Sequence, residues 1–134
     1  MQSVLVYGSE TWPLKAEDFE RFERTERSMV RWMCGVSLRD RRKSEKLQRQ
    51  LGSECVSDVM RHGRLRWYGH FERADRDKWI LKCRTLEIEG TRGRGRDKKK
   101  WVEVVEKDMK ALGLKKTYVL DRDEWRRKIG GVNV

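Results

Sequence analysis

The apolar residues of this chain recur at three- and four-residue steps, within segments that end at glycine. Phe19, Phe22 and Val30 belong to one such series, which stops before Gly35. This spacing places apolar side chains on one face of an α-helix, and a glycine after the last turn is a frequent helix stop. Sustained two-residue alternation, which is typical of strands, is absent from the sequence. The pattern therefore predicts an all-α fold, a small bundle of about five helices.

The same spacing gives approximate bounds for each helix. The predicted helices span residues 15–34, 44–51, 57–73, 101–112 and 117–128, with a short helical segment at 77–85. Ser44 and Asp97 are suited to cap helices because their side chains accept backbone N–H groups. Tryptophan at helical spacing belongs to a core more often than to a binding surface. We therefore expect Trp32, Trp67, Trp101 and Trp125 in the core, whereas Trp12 and Trp79 stay open.

Charge dominates the composition. Charged residues make up 41% of the 134 residues, and the formal net charge is +11. Such a balance can belong to a disordered chain, but six tryptophans, five methionines and a single proline favour a folded one. A strongly basic domain favours a polyanionic partner. Three parts are predicted: a helical region at 1–86, a flexible basic Gly/Arg loop at 87–100 and a C-terminal helical hairpin at 101–134.

Acids and bases alternate along the helix predicted at 15–34. Glu20, Glu23 and Glu26 lie among its arginines, at spacings that allow ion pairs within the helix. We therefore expect these residues to form a solvated face whose charges compensate one another.

Several patterns bear on the location of the protein. No apolar run approaches the roughly 20 residues that a membrane-spanning helix needs. The first residues lack the cationic lead and long apolar core of a signal peptide. Three cysteines, odd in number and far apart, fit a reducing compartment. We expect an intracellular protein, nuclear or cytoplasmic, with no membrane partner. The short apolar segment 4–7 resembles the end of an element without its packing partners, and self-association through it is expected.

No metal site or cofactor is predicted. The available soft metal ligands are Cys34, Cys55, His62, His70 and Cys83. Structural zinc sites draw on close pairs such as C-x₂-C or H-x₃₋₅-H, and none is present here. We therefore interpret the cysteines as core residues.

No catalytic site is predicted either. Asp121, Asp123 and Glu124 form the tight acidic group of the C-terminal half, and arginines surround them. Ion pairs with Arg122, Arg126 and Arg127 are favoured over metal ligation. A small nuclease built on Asp121 is the least favoured alternative.

The stretch 90–101 is the most unusual in the chain, because six cations and three glycines occur in twelve residues. Glycine lets the backbone follow an irregular partner, and Arg and Lys attract phosphates by releasing counterions. The arginines of the 57–73 helix have few acids near them in sequence and extend this surface. The predicted nucleic-acid-binding residues are Arg61, Arg64, Arg66, Arg92, Arg94, Arg96, Lys98, Lys99 and Lys100. The alternative is a solvated linker.

Five motifs occur in a particular order along nearly the whole chain. They are YGSETW at 7–12, RWMCGVSLRDR at 31–41, RLRWYGH at 64–70, GRGRDKKKW at 93–101 and DRDEWR at 121–126. Their order resembles the C-terminal region of non-LTR retrotransposon reverse transcriptases, the polymerases of long interspersed elements. One departure is Asp97, near which the basic loop of that family commonly has proline.

The resemblance implies a family that copies RNA into DNA at a nicked target with two metal ions. Its catalytic acids lie in a palm motif resembling Tyr/Phe-x-Asp-Asp, and no such motif occurs here. The matched region resembles the thumb and the segment beyond it, which grips the template–primer duplex and performs no bond chemistry. The implied partners are RNA, DNA or an RNA–DNA hybrid, and the implied module is not an enzyme by itself. The alternative is a helical protein–protein interaction module derived from a truncated retroelement.

Overall fold

The computed structural model describes residues 2–74, 79, 82–83, 93–95 and 99–130, and most of these residues are helical. The α-helices with assigned bounds follow in chain order. They are α1 (Gln2–Leu5), α2 (Ala16–Met33), α3 (Ser44–Leu51), α4 (Val56–Glu72), α5 (Trp101–Ala111) and α6 (Arg122–Ile129). Short 3-10 turns lie at Ser9–Thr11, Leu38–Asp40 and Lys116–Val119. No strand occurs among these described residues, so the predicted all-α class is confirmed.

Two predicted helical segments differ from the observed elements or lie partly outside the described residues. The helix predicted at 117–128 is a 3-10 turn at Lys116–Val119 followed by α6, because Asp121 is extended and caps α6. Leu120, which lies within the predicted helix, is 77% exposed at the break. Of the segment predicted at 77–85, Trp79, Lys82 and Cys83 are helical, and the other residues lie outside the described part.

Glycines end α2, α3 and α5, as the sequence predicts. The three glycines have φ between 62° and 64°, a left-handed conformation that is open to glycine at little cost. They are Gly35, Gly52 and Gly113. After α2, the N–H of Gly35 donates to the carbonyl of Trp32 at 3.1 Å, and the N–H of Val36 donates to the carbonyl of Arg31 at 3.0 Å. These bonds satisfy carbonyl groups that the end of a helix otherwise leaves unpaired.

Both predicted N-caps are wrong. Ser44 is the first helical residue of α3, and its N-cap is Lys43. The N-cap of α5 is Lys100 and not Asp97, which lies outside the described residues. The backbone N–H of Lys100 donates to the carboxylate of Glu103 at 3.4 Å. A glutamate that reaches back from the first turn therefore replaces the side-chain acceptor expected before the helix.

The chain divides into two compact units, residues 1–63 and 64–134, and the boundary falls within α4. We refer to them as unit 1 and unit 2. The two parts of α4 contribute to different buried clusters: Val56 and Met60 belong to that of unit 1, whereas Leu65 and Tyr68 belong to that of unit 2. The three parts predicted with boundaries at 86 and 100 stay a prediction.

In unit 1 one core cluster consists of the buried residues Leu14, Val56 and Met60, against which Val6, Phe19 and Phe22 pack. Beside this core lies a buried carboxylate. Glu26 on α2 is 4% exposed, and its Oε1 accepts the backbone N–H of Val56 at 2.9 Å. Val56 is the first residue of α4, where N–H groups have no acceptor within the helix and the helix dipole favours negative charge. The interpretation of Glu26 as part of a solvated face is therefore wrong.

In unit 2 the core is built around Trp125. Its indole is 1% exposed, and its Nε1 donates to the backbone carbonyl of Leu65 at 3.0 Å. Tyr68 lies between two tryptophans, with ring centroids 6.2 Å from Trp125 and 6.3 Å from Trp101. The other buried members are Val105, Met109, Val119 and Ile129. Residues from the RLRWYGH, GRGRDKKKW and DRDEWR motifs therefore meet in one core.

Gly69 makes this arrangement sterically feasible. A Cβ atom at this position would collide with Nε1 and Cδ1 of Trp125, and would lie 3.1 Å from a guanidinium nitrogen of Arg73. Buried indole atoms have little freedom to retreat in a packed interior. The hydrogen of glycine therefore lets the indole reach the Leu65 carbonyl.

Some buried and exposed positions differ from expectation. Trp125 is buried and Trp67 and Trp101 are partly buried, but Trp32 is 74% exposed. Trp32 lies two residues beyond buried Val30, which places it about 200° around the helix from the core face. The interpretation of the cysteines as core residues is wrong for Cys83, which is exposed, whereas Cys34 and Cys55 are partly buried. The two open tryptophans are also exposed, Trp12 by 39% and Trp79 by 79%.

We predict that Gly69→Ala destabilises the protein by roughly 1–3 kcal/mol, because the added methyl overpacks the site against Trp125. Helix propensity alone would change stability in the opposite direction, by roughly 0.5–1 kcal/mol. Urea denaturation followed by tryptophan fluorescence measures the difference.

Gly63→Ala is the matched control, in the same helix. Its Cβ would meet Cγ of the Glu10 side chain at 3.2 Å, and a flexible side chain can move aside. We expect a distinctly smaller loss, and equal losses for the two variants would contradict the packing role of Gly69.

Candidate nucleic-acid interface

The cations of the Gly/Arg loop that the structure describes are Arg94, Lys99 and Lys100, and all are exposed. Arg92, Arg96 and Lys98 lie outside the described residues. The end of the loop is anchored, because Lys100 is the N-cap of α5 and the next residue is Trp101. The Trp101 ring lies 6.1 Å from that of Phe71 on α4. Lys99 and Lys100 therefore directly precede Trp101, which packs against the core of unit 2.

The three predicted arginines of α4 have different environments. Arg61 is half-buried and its guanidinium lies 3.1 Å from the carboxylate of Asp58, one turn earlier. The expectation that the cations of this helix are unpaired is therefore wrong for Arg61. Arg66 is exposed. It lies about 200° around the helix from Arg64, on the side opposite the core.

Arg64 is a buried structural residue. It is 1% exposed, and its Nε and a terminal nitrogen both donate to Oδ2 of Asp108 at 2.8 Å. Asp108 is itself 8% exposed. A desolvated guanidinium this close to a carboxylate has no surface to offer a phosphate. Arg64 and Arg66 therefore do not form the common surface that the sequence suggested.

A basic pocket in unit 1 was not predicted. Arg41, Arg42, Lys43 and Lys46 line a concavity of about 640 Å³ together with Leu47 and Gln50. We call it the Arg41–Lys46 pocket. The available signal was the cation density of residues 39–43, where four of five residues are Arg or Lys. This run lacks the glycines that interrupt the charges of the loop at 90–101, so it resembles an ordinary solvated turn.

Arg31 on α2 holds the backbone at this pocket. Its guanidinium donates to the carbonyl of Arg42 at 2.7 Å and to that of Ser37 at 3.3 Å. The N–H of Ser37 donates in turn to the Asp40 carboxylate at 2.7 Å. That hydrogen bond, assisted by the Ser37 hydroxyl and by Arg42 and Arg31, holds the pKa of Asp40 below its usual range. The chain that carries the pocket cations is therefore fixed at both ends of the turn.

A second cationic group lies in unit 2. The guanidinium of Arg73 donates to the carbonyl of Val119 at 2.7 Å. Burial lowers the pKa of Arg73, and repulsion by Arg122 and Arg126 lowers it further. The three arginines Arg73, Arg122 and Arg126 therefore form a region of positive potential in unit 2.

The acidic group at the start of α6 has a structural role. Oδ1 of Asp121 accepts the backbone N–H groups of Asp123 at 2.9 Å and Glu124 at 3.0 Å. Glu124 pairs with Lys128 at 3.9 Å. Asp121 therefore caps α6, and Glu124 pairs with a lysine, where ion pairs with the neighbouring arginines were expected. Within the described ranges, no group of three or more His, Cys, Asp or Glu side chains could hold a metal ion.

Comparisons with known proteins add no relative. No protein-family model, no curated protein and no solved structure gives a significant match to this chain. Among the described residues, no helix is long and apolar enough to cross a membrane.

We predict that removing one partner of the buried Arg64–Asp108 pair destabilises the fold more than replacing both partners. Asp108→Ala leaves the Arg64 charge buried without this carboxylate and should destabilise by about 3–5 kcal/mol. The double variant Arg64→Met with Asp108→Leu buries neither charge and should lose less. The free energy of unfolding is measured in urea for each.

The double variant also tests the role of Arg64 in binding. Its affinity for an RNA–DNA hybrid should equal that of the wild type at every salt concentration. A lower affinity in the folded double variant would return Arg64 to the interface.

We predict that the Asp121 cap makes stability depend on pH. The N–H groups of Glu124 and Asp123 hold the pKa of Asp121 below its ordinary value of 3.8. A carboxyl with a lowered folded pKa stabilises the fold above its unfolded pKa and loses that effect as the pH falls through the folded value. Asp121→Asn keeps a good cap without the titration, so its melting temperature should fall less on acidification. An acid profile of Asp121→Asn identical to that of the wild type would refute the assignment.

Proposed function

We propose that this chain is a helical module that binds nucleic acid through its phosphate backbone and carries out no reaction by itself. The observation that carries the proposal is the exposure of Arg94, Lys99 and Lys100 at the end of a Gly/Arg loop that is anchored on a folded core. Exposed cations on a glycine-rich chain suit phosphate contacts, which carry no base information. Binding is therefore expected to be independent of sequence.

The motif resemblance supports a thumb-like identity. Three of the five motifs contribute core residues of unit 2, namely Tyr68, Trp101 and Trp125. The cations of the loop lie between two of these anchors along the chain. A helical support and a basic loop are the two parts that a duplex-gripping fragment would use on this proposal. On this proposal the partners are RNA, DNA or an RNA–DNA hybrid, and the module acts in the nucleus or the cytoplasm.

A helical protein–protein interaction module is the second candidate. Trp32 is 74% exposed, Met33 53% and Leu38 80%. Large exposed apolar side chains are a feature of protein-binding surfaces. Val4 and Tyr7, exposed by 80% and 85%, are the corresponding support for self-association.

We predict that the described loop cations contribute to the salt dependence of binding. Engagement of about five phosphates gives a slope of log affinity against log salt near −4.5. Changing Arg94, Lys99 and Lys100 together to Gln should reduce the steepness by about 0.9 for each phosphate that the variant no longer neutralises. Fluorescence anisotropy with an RNA–DNA hybrid across a salt series measures the slope.

The matched control removes three exposed cations of α2. Arg21, Arg24 and Arg27 changed to Gln lower the net charge by the same amount, but leave the loop intact. A slope that changes equally in both triple variants, or in neither, would remove the loop from the binding site.

Retention on heparin separates the two candidates. Elution at moderate salt is expected for binding by phosphate contacts, because counterions compete for the same cations. Retention on an apolar partner surface that persists in high salt would favour the interaction module instead.

A further inference from the structure

The Arg41–Lys46 pocket has the composition of an anion site. Four of its six lining residues are cations, and none is acidic. The nearest acids along the chain are Asp40, whose carboxylate accepts the N–H of Ser37, and Glu45, which is exposed and does not line the concavity. Cations that line one concavity repel one another, and an anion bound there would relieve this repulsion.

The pocket is also concave and has an apolar base. Leu47 is 2% exposed and belongs to the lining, so one wall is made of protein interior. Charges around a concavity with a wall of low dielectric constant concentrate their field there. Gln50 adds an amide that can donate to an oxygen atom of a ligand.

The backbone of the pocket is held in place before any ligand arrives. Arg31 fixes the carbonyls of Ser37 and Arg42, and Asp40 fixes the N–H of Ser37. Lys43 is the N-cap of α3, and its carbonyl accepts the N–H groups of Lys46 at 3.2 Å and Leu47 at 3.4 Å, so these lining residues are held by the first turn of the helix. A site held in this way loses less entropy on binding than a mobile one.

We propose that the Arg41–Lys46 pocket binds a phosphate group that carries more than one negative charge, either the terminal phosphate of a nucleic-acid strand or a free pyrophosphate. A diester phosphate inside a strand carries one charge, whereas a concavity lined by four cations matches a group with a higher charge. A volume of about 640 Å³ is within the size range of small-ligand sites and has room for the sugar attached to a terminal phosphate. The site lies in unit 1 and uses no cation of the Gly/Arg loop. A negative result for this site would therefore leave binding by the loop untouched, and a negative result for the loop would leave this site untouched.

Two probes test the proposal on the full chain. Pyrophosphate is titrated by calorimetry and by amide NMR shifts, with the expected shifts at Arg42, Lys43 and Lys46. A short single strand is compared with and without a 5′-phosphate by fluorescence anisotropy. The ratio of the two affinities isolates the terminal phosphate, because loop contacts are common to both strands.

The decisive variant is Lys43→Gln with Lys46→Gln, both exposed side chains. We expect pyrophosphate affinity to fall about tenfold or more and the preference for the 5′-phosphate to disappear, since each charge-assisted bond is roughly twice as strong as a neutral one. Arg21→Gln with Arg24→Gln removes the same charge elsewhere on unit 1 and should change affinity less than about twofold. If the double variant does not fold, as judged by circular dichroism, Lys46→Gln alone replaces it.

Each outcome decides the proposal. Pyrophosphate binding without a preference for the phosphorylated strand supports a free anion as the ligand. A preference for the phosphorylated strand without pyrophosphate binding supports the strand end. If pyrophosphate does not bind and the two strands bind equally, or if the α2 control loses as much affinity as the pocket variant, the pocket is not a phosphate site.

Discussion

The hydrogen bond from the Trp125 indole to the carbonyl of Leu65 is the contact on which unit 2 depends. It forms because Gly69, one turn further along α4, has no side chain in the path of the indole. Once the indole is in place, Tyr68 fills the space between Trp125 and Trp101, and α5 and α6 are fixed against α4. A buried tryptophan removes a large apolar area from water, and here its polar N–H also has a hydrogen-bond partner.

The cations of this chain, whose net charge is +11, have different roles in the two units. Arg64 is drawn into the core by Asp108, and Arg31 is occupied with the carbonyls of Ser37 and Arg42. These arginines act as structural donors, for which the planar guanidinium with several N–H groups is well suited. The exposed cations at the end of the Gly/Arg loop and around the Arg41–Lys46 pocket are different, since ligands can reach them. A basic composition alone does not separate these two uses.

Much of the fold was predictable because helix periodicity and glycine stops are local signals. The bounds of α2, α3 and α4 follow the predicted ones to within one residue at each end. Contacts between distant segments were not predictable. Glu26 looked like one of several solvated acids, but it caps a helix that starts 30 residues later. Arg64 looked like a surface cation because its partner lies 44 residues away. The pocket was not predictable because its concavity arises from a turn that Arg31 and Asp40 shape, which charge counting cannot reveal.

Arg41, at the rim of the pocket, has a left-handed backbone with a φ of 48°. Among the described residues, the other positions with positive φ are all glycine. This conformation costs an L-residue with a side chain roughly 1–2 kcal/mol. A glycine would relax the turn but would remove a cation from the rim. Arg41 therefore gives the pocket a positive charge at a cost in conformational free energy. A change to glycine that raised the thermal stability of this turn would lower the positive potential of the pocket.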